Sequence, residues 1–207
     1  MSKDRYLQAE KTTMRQLIIS TILFTTLWSC SSPTKKEQST ETVKATEQTN
    51  SNFESYISTL DQISLPLEAN PLGQLPEISK NFDKIAFEKF KHTWTSQPLG
   101  IYYQDDKTIG IIDCGIGDWG PVPFLTIYDL KGNKIDSTGF YDKSGQDMGY
   151  EAIEHVTFNA DRTITVLDTV KRWDFNEDET DIIEGSMKMT KGKVEYRILD
   201  NGRIEKK

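Results

Sequence analysis

Gly115-Ile116-Gly117-Asp118-Trp119-Gly120 has the spacing G-x-G-x-x-G and follows a strand-like run from Thr108 to Asp113. In a dinucleotide site those glycines open a helix whose first amides hold pyrophosphate. Here Pro121, Pro123 and the strand-like Phe124 to Tyr128 follow instead, so the helix is missing and the mechanism with it. The segment reads as a glycine-rich loop between strands ending at Asp113 and starting at Phe124. Asp118 and Trp119 at its tip are the candidate binding residues, because loops held by rigid strands concentrate recognition.

Asp174 to Asp181 sets side-chain oxygens at alternate positions, as a calcium loop does, but Glu179 stands where the sharp turn needs Gly and Gly185 where a bidentate Glu belongs. A solvated acidic hairpin tip is the better account. His92 and His155 lie far apart with no Cys beside either, so no structural zinc set forms. No G-x-S-x-G accompanies them. A dispersed Ser-His-Asp triad or carboxylate pair stays open, since such members can be distant in sequence. No catalytic, cofactor-binding or metal-binding residue is assigned, and no cofactor is expected. Trp94, Trp119, Trp173, Tyr102, Tyr103, Tyr141 and Tyr150 offer stacking platforms for a sugar or peptide; most are expected in the core, with Trp119 as the exception. Cys114 follows Ile109-Gly110-Ile111-Ile112 and is expected as a buried free thiol.

The other cysteine has different chemistry. Arg15 precedes the apolar run Leu17 to Trp28, and the run closes on Leu27-Trp28-Ser29-Cys30. Roughly twenty helical residues are needed to cross a bilayer, and this run is shorter. Residues 1–29 resemble the signal peptide of a bacterial lipoprotein, with Met14 as a possible true start. An uncleaved anchor and an ordinary secretory peptide are the alternatives. The resemblance implies that Cys30 is thioether-linked to diacylglycerol, becomes the first mature residue and is N-acylated. The partner it implies is a membrane, held through lipid at Cys30, and the location is the cell envelope at the outer membrane, with the leaflet left open. Two or three acyl chains hold a protein stably where one does not. With Cys30 consumed by lipid, Cys114 has no intramolecular disulfide partner.

The rest of the chain must position these residues. Residues 30–52 are rich in Ser, Thr, Lys, Glu and Gln and lack aromatics, which suits a disordered tether. Residues 53–207 suit one globular domain. The whole chain has 25 basic and 32 acidic residues. Without the four basic and two acidic residues of 1–29, the net charge is −9, which argues against a nucleic acid partner. Asn81 is placed to cap a helix through Lys91 with Phe82, Ile85, Ala86 and Phe90 on one face, and Phe53 to Leu60 to form a turn or two. From Leu99 onward, short β-branched and aromatic runs alternate with turns: Leu99 to Tyr103, Thr108 to Asp113, Phe124 to Tyr128, Ile153 to Phe158 and Thr163 to Leu167. Met187 and Met189 mark one further strand, and Val194 to Ile198 the next. Asp129 to Asn133, Asn159 to Arg162 and Asp200-Asn201-Gly202 are the hairpin signals. The fold class is mainly β: an antiparallel meander sheet, curled or barrel- or sandwich-like, with one or two short helices at its N-terminal side.

The stretch Thr126 to Ser137, and more broadly Gly110 to Ile204, resembles the small envelope lipoproteins of the Bacteroidota. That resemblance implies a location and a fold style, and no catalytic residues carry over. The expected function is a lipid-anchored β-rich binding or assembly module with a protein or glycan partner. An envelope hydrolase and an immunity or inhibitor protein with an acidic face are the alternatives. A convergent carboxylate pair or a His with an acidic partner would favour the hydrolase, and a flat, acidic, aromatic-rimmed face the inhibitor.

Overall fold

The computed structural model describes residues 52–73, 75 and 81–207. The signal peptide, the lipidated Cys30 and the tether expected from the sequence lie outside these residues, save Asn52. No helix among the described residues is long and apolar enough to cross a membrane.

The chain is mainly β, as its alternating runs imply. Two antiparallel sheets carry it. One holds β2 (Gln97–Gln104), β3 (Thr108–Gly117), β4 (Gly120–Asp129) and β5 (Lys134–Gly139) in sequence order. The other runs β1 (Leu67–Ala69), β7 (Tyr150–Phe158), β8 (Thr163–Arg172), β9 (Lys188–Ile198) and β10 (Ile204–Lys206), with β6 (Gly145–Asp147) also on β7. The meander is therefore divided between two sheets that share a core, the sandwich-like form of the expectation. Tyr102, Phe158, Phe140 and Tyr196 form an edge-to-face chain through that core, with centroids 5.6, 5.2 and 5.4 Å apart. Burying each such ring contributes about 1.5–3 kcal/mol.

Two helices, α1 (52–57) and α2 (Lys84–Phe90), cover the outer face of the four-stranded sheet. β3 is consequently buried on both faces, which accounts for its unbroken apolar run. Ile109 and Ile111 meet Phe53, Tyr56, Phe87 and Phe90, while Ile112 and Cys114 face the sandwich core. A register shift between Ile101 and Tyr103 puts both Tyr102 and Tyr103 on the core side.

Several local expectations are corrected. The cap of α2 is Asp83, whose carboxylate accepts from the amides of Ile85 and Ala86, and not Asn81. Ile85 is 87 % exposed and Phe87 takes the buried position. β9 is one long strand, so Met189 and Val194 to Ile198 belong together. β3 and β4 run on past Asp113 and before Phe124 to a tight hairpin, so Asp118 and Trp119 form a two-residue tip where a longer loop was expected.

Strand direction sorts the connections into two ends. The β2–β3, β4–β5, β7–β8 and β9–β10 turns share one end. There the Arg162 guanidinium meets Asp105 at 2.7 Å, and the Tyr102 hydroxyl donates to the Asn159 carbonyl at 2.6 Å, which ties the sheets together. Phe53 packs on Gly132 of the β4–β5 turn, so the described chain comes in at this near end. The far end holds the β3–β4 tip, residues 92–96, the β6–β7 turn and the long β8–β9 connection.

Candidate functional site

Three groups of residues have the chemistry for a site. The first surrounds Asp113, which shares the helix-covered face of β3 with Ile111. Its Oδ2 accepts the His92 backbone N–H at 3.1 Å, the Thr95 hydroxyl lies beside the carboxylate, and among the described residues Oδ1 has no hydrogen-bond partner. The carboxyl group is 1 % exposed, and burial pushes its pKa up to about 7. The Tyr56 hydroxyl above it is also buried without a partner, and the Tyr128 hydroxyl donates to the Phe90 carbonyl. The imidazole of His92 takes no part: it stacks on Phe124 at 4.5 Å and its Nδ1 accepts the Trp94 amide. Burial, and then the Lys134 ammonium, hold His92 below the ordinary histidine value. No His-Asp dyad forms here.

The second group lies inside the sandwich, where Glu154 and Asp168 face each other across the β7–β8 register. Both are buried. Glu154 Oε2 accepts the Lys143 amide at 2.7 Å, the Ser144 amide at 2.8 Å and the Ser144 hydroxyl at 3.0 Å. Asp168 accepts the Lys143 ammonium at 2.6 Å, which holds that lysine above its usual pKa. Gly192 on β9 lies against the Asp168 carboxylate, in space a Cβ would fill. One oxygen of each carboxylate, Glu154 Oε2 and Asp168 Oδ2, is held by the chain's own donors. The Cys114 thiol is buried as expected, and burial raises its pKa, which makes it a poor nucleophile.

The third group is the far end itself. Apart from Ile85, Leu130 and Leu167, every large apolar side chain left exposed among the described residues lies there: Leu72, Trp94, Ile116, Met148, Phe175, Ile182, Ile183, Met187 and Met189. Ile116 is 82 % and Trp94 77 % exposed. Backbone contacts gather part of this set around the β3–β4 tip. Gly115 lies against the Trp94 carbonyl, and Gly120, at φ 143°, against the Pro71 carbonyl beside Leu72. Asp118 is exposed and Trp119 half-buried, so the exposed indole at this tip is that of Trp94, where the sequence points to Trp119.

Comparison with known protein families, with curated proteins and with solved structures returns no match.

The site must therefore be read from its own chemistry. His155 is exposed on the outer face of β7, opposite Leu167, and is not brought to His92. The acidic run Asp174 to Asp181 lies in the β8–β9 connection, where an isolated bridge between Phe175 and Ile182 closes a small hairpin. No group of three His, Cys, Asp or Glu among the described residues is arranged to hold a metal ion. The near end is charged, with Asp105, Asp106, Asp161, Arg162, Arg197 and Asp200 around a shallow cleft. The far end is apolar and acidic, and such a surface suits adhesion to another macromolecule better than it suits bond cleavage.

Proposed function

We propose that this chain is a lipid-tethered protein of the cell envelope whose β-sandwich is a binding or assembly module, with the far end as its contact surface. The supporting observation is the segregation of exposed apolar side chains to the end opposite the one where the chain comes in from Cys30. Soluble monomers scatter such residues singly, and their concentration at one end is the pattern of an interaction surface. A tether joining at the charged near end favours presentation of the apolar end away from the lipid.

The anchoring half of this proposal is tested by Cys30→Ala. That variant is expected to lose acyl labelling and move to the soluble fraction, whereas retention in the membrane would make Leu17 to Trp28 an uncleaved anchor. The surface half is tested by a photo-crosslinking amino acid placed in the envelope-resident protein at Ile116, Met187 or, at the near end, Leu130. Adducts are expected from Ile116 or Met187, and adducts from Leu130 alone would overturn the assignment. The hydrolase alternative draws no support from Glu154 and Asp168, which are buried and bonded to Lys143 and Ser144 of the chain itself.

A further inference from the structure

A cleft of about 410 Å³ opens at the far end between the β6–β7 turn and the β8–β9 connection. It is lined by Asp147, Met148, Tyr150, Glu151, Trp173, Asp181 and Ile182, among others. The charges in this neighbourhood are not all alike. Glu151 is paired with Lys171 at 2.6 Å and Asp174 with Lys188 at 2.7 Å. Among the described residues, Asp147 and Asp181 each accept only the amide of the following residue, at 2.7 and 2.9 Å, and neither meets a basic side chain. Beyond Asp174, the connection from Trp173 to Met187 adds Glu177, Asp178, Glu179 and Glu184, with no Lys, Arg or His in it.

The cleft is held in one shape before anything binds. The Trp173 amide donates to the Gly149 carbonyl at 3.0 Å, the Phe175 ring packs on Gly149, and the Asp174 amide donates to the Ser186 hydroxyl at 3.0 Å. Preorganisation of this kind lowers the ordering cost of association. The Arg172 guanidinium lies 4.7 Å from the Tyr150 ring centre, so that ring is already paired with a cation of the chain itself and Trp173 is the aromatic left for a partner. Around the cleft, exposed Met148, Phe175, Ile182, Ile183 and Met187 supply apolar contact, and methionine adapts to varied shapes.

We propose that this cleft and its rim receive a basic segment of a protein partner, one arginine or lysine side chain lying among Trp173, Asp147 and Asp181 while apolar neighbours of that residue cover the methionine and isoleucine rim. The proposal rests on the far end being the contact surface, and it names the partner's chemistry. Charge complementarity selects the occupant. An anionic bilayer is repelled by the acidic connection, and a neutral glycan uses the rings but gains nothing from the two unpaired carboxylates.

Two synthetic peptides of equal length and apolar content serve as probes against the full-length protein, one with paired arginines between leucines and the other with glutamates in their place. The arginine peptide is expected to bind, more weakly as salt rises. The Asp147→Asn, Asp181→Asn double variant is expected to weaken it about tenfold, a size common for a charged contact at an interface centre. Asp106→Asn with Asp200→Asn at the near end is expected to leave binding unchanged. Equal binding of the glutamate peptide, equal weakening by the near-end pair, or preferential binding of anionic vesicles would each overturn the proposal. Crosslinks at Ile116 or Met187 with no arginine-peptide binding would refute the cleft assignment alone. Peptide binding with crosslinks only at Leu130 would refute the far end as the site of the envelope partner.

Discussion

The natural protein is expected to lose stability between about pH 4 and pH 7, and Asp113→Asn to flatten that fall. Asp titrates near 3.9 in an unfolded chain, and burial raises this carboxyl to about 7 in the folded one. Within that window the folded state holds a proton that the unfolded state has released, so stability is full below the unfolded value and is lost as pH rises through the folded one. A gap of about three pKa units corresponds to roughly 4 kcal/mol at 1.36 kcal/mol per unit. Each element packed on the site bears on this value. The His92 amide, the Thr95 hydroxyl and then the Lys91 ammonium, all just beyond α2, favour the ionised form, while Tyr56 of α1 and Tyr128 of β4 bring hydroxyls without charge. Denaturant unfolding at pH 5 and pH 8 measures the effect. The asparagine variant should equal or exceed the natural protein at pH 8, and an unchanged slope in both would sink the assignment of this group.

Much of this architecture was legible in the residues because turns and alternation are local. Asp129 to Asn133, Asn159 to Arg162 and Asp200 to Gly202 all form turns where their types require them. The carboxylates of the interior were legible too, by a signal left unused. Glu154 falls in the apolar phase of Ala152, Val156 and Phe158, Asp168 in that of Ile164, Val166 and Val170, and Asp113 in that of Ile109 and Ile111. An acid in the buried phase of a strand must be neutral or paired. These three are respectively hydrogen-bonded, ion-paired and raised in pKa. The apolar far end was not legible, because it depends on which turns share an end once the meander divides into two sheets. The identity of the cap on α2 also escaped the pattern. Asn81 and Asp83 are both good caps, and the packing of Phe87, rather than of Ile85, selects between them.

Lys143→Met is expected to destabilise the domain by roughly 2–3 kcal/mol. Removing one partner of a buried pair leaves the other charge uncompensated, and the usual cost of about 3–5 kcal/mol is reduced here by the solvent that reaches the lysine. The Asp168 side chain is 4 % exposed and that of Lys143 44 %. Without the ammonium, Asp168 faces Glu154 across the strand pair with Gly192 on its other side, and like charges directly opposite are destabilising. Adding Asp168→Asn to the lysine variant removes the orphaned charge, so the double variant is expected to recover most of the loss in unfolding measurements. Asp168→Asn alone should cost less than Lys143→Met, because a freed lysine can extend its ammonium to water whereas a buried carboxylate cannot. The opposite order, or strict additivity, would mean that Asp168 is not held by this pair, and the carboxylates Glu154 and Asp168 would then be open to a role outside the fold.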